Sequence, residues 1–181
     1  MLPTDPRVAL DTFAQAAAVK APATWTLWCD GSAVPNPGRM GLGAVLAGPD
    51  GVAQHQISEA TTFTGCNNEA ELRALLVGLQ WLAQQVTPQA TAVRVVTDSS
   101  VLVAQLGTHA AVPIARLASL LEEARHSLRQ FAHIDLQWVP RHRNGAADTL
   151  ARAALGLAPK AAVPQGQKVK RRRHRNRSTL P

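Results

Sequence analysis

From residue 24 onward the apolar positions fall into two periods. Trp25, Leu27 and Cys29 alternate with Thr24, Thr26 and Trp28, the period-two pattern of a strand over 24–30 that stops at Asp30. Residues 42–47 form a second, short apolar strand. Gly48-Pro49-Asp50-Gly51 is turn chemistry, and 52–59 reads as the return strand. The period then changes. Leu72, Leu75, Leu76, Leu79, Leu82 and Val86 recur at helical spacing, with Asn67 or Asn68 available as a cap and Glu69 and Glu71 in the first turns. Residues 92–98, AVRVVTD, predict a buried β-branched strand that again stops at an aspartate. A short helix is expected over 99–106. A longer amphipathic helix follows over 114–131, with Leu117, Leu120, Leu121, Leu128 and Phe131 on its stripe. The last strand spans 134–139 and the last helix 146–157, with Asn144 or Gly145 at its start and Asp148 in its first turn. Trp81 and Trp138 are assigned to the core.

Three strands, a helix, a strand, two helices, a strand and a helix make an α/β fold. Its sheet is mixed and five-stranded, antiparallel in the first three strands and parallel after them, with helices on its flanks. At 181 residues the chain supports one domain with a proper core. That domain is expected over 23–158, between an N-terminal arm at 1–22, marked by Pro3, Pro6 and Pro22, and a disordered tail at 159–181. The two cysteines, Cys29 and Cys66, have no metal-ligand spacing and suggest a reducing compartment. No basic segment followed by an apolar one opens the chain, and no apolar run is long enough to span a membrane, so a cytoplasmic protein without membrane contact is expected.

The formal charge is +7. Lys168, Lys170, Arg171, Arg172, Arg173, Arg175 and Arg177 account for it, and the other 12 Lys and Arg balance 12 Asp and Glu. The basicity belongs to the tail and not to the domain. Such a run serves solubility, localisation or phosphate binding.

Four acids stand out by position: Asp30 and Asp98 at strand ends, Glu71 and Asp148 near helix starts. Each has an ordinary explanation, a turn, a helix cap or a helix dipole. Those explanations do not account for two apolar strands ending the same way, at the edge where open α/β sheets form their sites. Clustered carboxylates repel one another and suit hard divalent cations such as Mg²⁺ or Mn²⁺.

DGSAVPNPG (30–38), CNNEAEL (66–72), TDSS (97–100) and PRHRNGAADTLARAA (140–154) together resemble ribonuclease H type I. The likeness runs from about residue 24 to 157. It implies cleavage of the RNA strand of RNA–DNA hybrids, independent of sequence, by two Mg²⁺ or Mn²⁺ ions with substrate bound. It also implies 5′-phosphate products, the hybrid as partner, a monomer and no small-molecule cofactor. By the resemblance, Asp30, Glu71, Asp98 and Asp148 are the metal-binding and catalytic acids. Glu69 is not carried over, because the ligand stands at the third residue after Asn68. Asn36, Asn67 and Asn68 match residues that contact the hybrid in its minor groove, with Gly31, Ser32 and Gly38 beside them. Ser100 stands where some members carry a substrate-contacting glutamine. His142, between Arg141 and Arg143, is a candidate for proton transfer or product release. The basic helical insertion of many bacterial members is missing: residues 107–113 read GTHAAVP. The seven tail cations are expected to supply phosphate contacts in its place. Two alternatives stay open, a non-cleaving RNA- or hybrid-binding module of the same fold, and a nuclease of that fold acting on DNA or double-stranded RNA.

Overall fold

The structure is a computed structural model that describes residues 22–107, 112 and 114–159. The arm and the tail cations lie outside the described residues. Strands β1 (Ala23–Val34), β2 (Gly38–Ala47) and β3 (Ala53–Gly65) form an antiparallel meander. Helix α1 (Asn67–Gln85) leads to β4 (Thr91–Thr97), then α2 (Ser100–Gly107), α3 (Ala118–Leu128), β5 (His133–Trp138) and α4 (Gly145–Ala154). The sheet order is β3-β2-β1-β4-β5, with β4 parallel to both β1 and β5. This is the mixed five-stranded sheet that the sequence predicts.

Both faces of the sheet are covered, and the period-two alternation shows how. Gly31 approaches the backbone of α1 at Ala70 and Glu71, whereas Gly41 and Gly43 approach α4 at Ala151 and Ala147. Gly31 pairs with Leu42 and Asp30 with Gly43, so these two registers point to opposite faces. Leu72, Leu75, Leu79 and Leu82 of α1 are all at most 2% exposed against Leu27 and Cys29 of β1 and Val93 and Val95 of β4. Each such leucine contributes about 2–3 kcal/mol by burial. β4 is buried except at Arg94, as a central parallel strand should be, and Arg94 reaches Asp135 on β5 at 3.0 Å.

Several boundaries differ from the sequence reading. β1 does not stop at Asp30 but continues to Val34, because Gly31–Val34 pair with Arg39–Leu42 of β2 in a tight hairpin. β3 runs on to Gly65 for the same reason, pairing Thr64 with Arg39. Cys66, and not an asparagine, is the N-cap of α1, and its N–H donates to Glu69 Oε2 at 2.6 Å. Trp138 is not core: it is 52% exposed, and its Nε1 donates to the Asp98 carbonyl at 3.1 Å. Trp81 packs edge-on to Trp25 and stacks on His55 at 4.2 Å.

Candidate active site

The site arises from a difference in strand length. Parallel pairing between β1 and β4 ends at Trp28 and Val96, whereas β1 continues beside β2 alone. A notch therefore opens past the carboxyl end of β4. Asp30 stands in it on β1 and is 5% exposed. Asp98 follows the last residue of β4. Glu71 enters from the second turn of α1, which lies close because Gly31 has no side chain: a methyl group there would overlap the Ala70 carbonyl carbon and the Glu71 nitrogen. Asp148 enters from the first turn of α4, 8% exposed, and α4 rests on β2 where Gly41 and Gly43 leave room for its backbone. Two glycine approaches, one on each face, set the depth of the two helical acids.

Electrostatics ties the four together. Burial pushes the Asp30 carboxyl up to about 7, and the charges of Asp98, Asp148 and Glu71 push the same way against the Gly31 N–H. Glu71 is also raised, first by burial and then by Asp98, while a hydrogen bond from Ser99 and the charge of Arg141 oppose this. Burial first, then Asp30, Glu71 and Asp98, push up the Cys29 thiol beneath them and keep it protonated. Arg141 donates to Asp148 Oδ1 at 2.7 Å and is held in its charged form by that bond. Among the described residues no three acid, histidine or cysteine side chains already stand as a coordination set. One oxygen of Asp148 is engaged by Arg141 and one of Asp98 by Asn144. The donor set nevertheless fits a hard divalent cation: buried (Asp30, Asp148) and half-buried (Glu71, Asp98) carboxylates in mutual repulsion, without a thiolate or imidazole among them.

Beside the acids, the hairpin after β1 is knitted to α1 by amide oxygens. Asn36 Oδ1 accepts from the Asn67 N–H at 3.1 Å, and Asn67 Oδ1 accepts from the Ala33 N–H at 2.7 Å. With both oxygens occupied, the amino groups of Asn36 and Asn67 are left to point elsewhere. Asn68 follows, half-buried, in the same first turn. Ser32 is half-buried beside Gly41, and Ser100 is exposed at the first position of α2. His142 is exposed on the single turn Arg141–Arg143 that leads into α4. Lys168, Lys170, Arg171, Arg172, Arg173, Arg175 and Arg177 lie outside the described residues.

Sequence reasoning missed three supporting side chains. Ser99 is 7% exposed, caps α2 by accepting from the Leu102 N–H at 3.1 Å, and holds Glu71. Its neighbour Thr97 accepts from the Ser99 N–H at 3.1 Å. Asn144, read only as a helix start, is 1% exposed and donates to Asp98. The serine after an aspartate was a legible capping signal; the reach of Asn144 across to β4 was not.

A β3-β2-β1-β4-β5 sheet with helices on both faces is the ribonuclease H-like fold. The chain belongs to the reverse transcriptase-like family, which matches residues 28–154, and within it to the type I ribonucleases H. The bifunctional protein Rv2228c of Mycobacterium tuberculosis is 34% identical over 141 residues, 78% of this chain. The chain spans 38% of the length of that curated relative. The solved N-terminal RNase H domain of Rv2228c superposes with a TM-score of 0.66 at 32% identity, covering 72% of this chain and 98% of that one. RNase H1 of the archaeon Halobacterium salinarum gives 0.66 at 28%, covering 74% and 97%. LC11-RNase H1, solved in complex with an RNA/DNA hybrid, gives 0.67 at 26%, covering 73% and 96%.

Proposed function

We propose that this chain is an endonuclease that hydrolyses the RNA strand of RNA–DNA hybrids without regard to sequence, leaving 5′-phosphate and 3′-hydroxyl ends. The observation that carries the reading is the convergence of four acids: Asp30 on β1 and Asp98 at the end of β4, with Glu71 and Asp148 brought in by α1 and α4 from the two faces of the sheet. Carboxylates that repel one another in this way suit a site that divalent cations complete. Asp30, Glu71, Asp98 and Asp148 would hold two Mg²⁺ or Mn²⁺ ions. Bound there, the ions would supply a more acidic attacking water and charge stabilisation at the leaving oxygen. The protein's own part is placement: the glycine approaches set the helical acids, Ser99 holds Glu71, and Arg141 holds Asp148.

Substrate choice follows from the hairpin. Amide donors at Asn36, Asn67 and Asn68, with Gly31, Ser32 and Ser100 nearby, suit 2′-hydroxyls and phosphates along a shallow groove and carry no base code. That LC11-RNase H1 binds an RNA/DNA hybrid supports this choice. His142, exposed beside the site, would assist proton transfer or product release, and the tail cations would hold phosphates farther along the duplex. The protein would act as a monomer in the cytoplasm. The test is cleavage of end-labelled hybrid beside single-stranded RNA, double-stranded RNA and duplex DNA, in Mg²⁺ or Mn²⁺, with the product ends identified. Selective cutting of the RNA strand to 5′-phosphates is expected; cutting of DNA in the same panel would overturn the substrate assignment.

A further inference from the structure

Asn144 lies between the strands that carry two of the acids and the helix that carries a third. Its Nδ2 donates to the Cys29 carbonyl at 3.0 Å and to Asp98 Oδ1 at 2.7 Å. Both neighbours only accept, so the amide has one allowed orientation; turned over, its oxygen would face two oxygens. Its backbone carbonyl accepts from the Asp148 N–H at 3.1 Å. One residue, 1% exposed, thus engages the Asp98 carboxylate, the peptide just before Asp30 and the first turn that bears Asp148. Asn144 Oδ1, meanwhile, is buried without a partner. A buried unpartnered carbonyl is costly, and a residue serving only to start a helix has no need of one. Nor does the Asn144 side chain make a capping hydrogen bond to α4.

We infer that Asn144 is a positioning residue for the cation site: its amide engages one oxygen of Asp98, leaves the other for the cation, and locks α4 to β1. The inference rests on the metal-dependent reading above. Supporting groups around metal-binding carboxylates tune affinity by about 10–100-fold. The experiment uses the full chain as wild type, Asn144→Ser and Asn144→Ala. Mn²⁺ binding is measured by calorimetry without nucleic acid, melting by circular dichroism, and kcat and KM on hybrid separately. Serine can start a helix but is too short to reach Asp98 from this position, so it separates the two roles. Both variants are expected to remain folded, to bind Mn²⁺ about 10–100-fold more weakly and to lose kcat to a similar degree, with KM within about twofold of wild type. Wild-type Mn²⁺ affinity and kcat in Asn144→Ser, whatever its melting temperature, would overturn the positioning role. Wild-type protein that itself binds no Mn²⁺ would overturn the metal-dependent reading, and the inference with it.

Discussion

Replacing Asp30 by asparagine should stabilise the metal-free protein while abolishing its activity. Unfolded, this carboxyl releases its proton near 3.8; folded, it does so only near 7. Between those values the native state holds a proton that the unfolded chain has lost. The stability associated with this group is therefore complete below pH 4 and falls as pH rises through 7. Three pH units at 1.36 kcal/mol each set a ceiling of about 4 kcal/mol. Asparagine keeps the shape and removes the charge, but its amide needs partners too, so a gain of about 1–3 kcal/mol is expected at pH 8. For a domain of this size that raises Tm by about 3–9 °C. The assay is thermal unfolding with a chelator present, wild type beside Asp30→Asn, from pH 4 to 8. The variant should melt higher at pH 8, with the gap narrowing towards pH 4. A variant that melts lower at pH 8, or a gap that ignores pH, would refute the account of Asp30 as a strained member of an acid cluster.

Gly31→Ala should lower stability by about 1–3 kcal/mol in chemical denaturation, because its methyl group must push α1 and Glu71 away from β1. Asn67→Ala removes the acceptor for the Ala33 N–H and should cost about 1 kcal/mol. Steady-state kinetics should show its KM for hybrid rising several-fold with kcat little changed. Deleting residues 160–181 should raise KM and flatten its dependence on salt, since Lys160 and the seven tail cations are lost with them. Unchanged values in the salt series would remove the tail from substrate binding.

The elements were legible wherever one period ran long. The leucine repeat of α1 and the β-branched run of β4 announced themselves, and alternation marked β1 up to Asp30. What failed was the continuation of β1 through Gly31 to Val34, because glycine and serine carry no strand signal and the pairing with Arg39–Leu42 is a tertiary fact. Trp138 was misplaced because a large aromatic on a strand reads as core, whereas β5 is an edge strand and this indole lies over the Asp98 carbonyl. The four acids were visible as strand-end and helix-start carboxylates, and family motifs gave them roles. Their support was harder to see. Asn144 bridges to Cys29 and Asp98, 115 and 46 positions earlier, and no local pattern encodes such a reach. Glu69 shows the opposite case: it sits two residues from Glu71, yet its oxygen takes the Cys66 N–H, so helix capping explains it fully.

The central claim is that the four acids cut a hybrid that the hairpin and α1 hold. Its most direct test compares wild type with Asp98→Asn on one labelled RNA–DNA hybrid in Mg²⁺ and in Mn²⁺, following binding and cleavage in the same samples. Wild type should bind and cut the RNA strand, and Asp98→Asn should bind with similar affinity and leave it intact. Binding without cutting by wild type in either metal, or equal cutting by both proteins, would contradict the account.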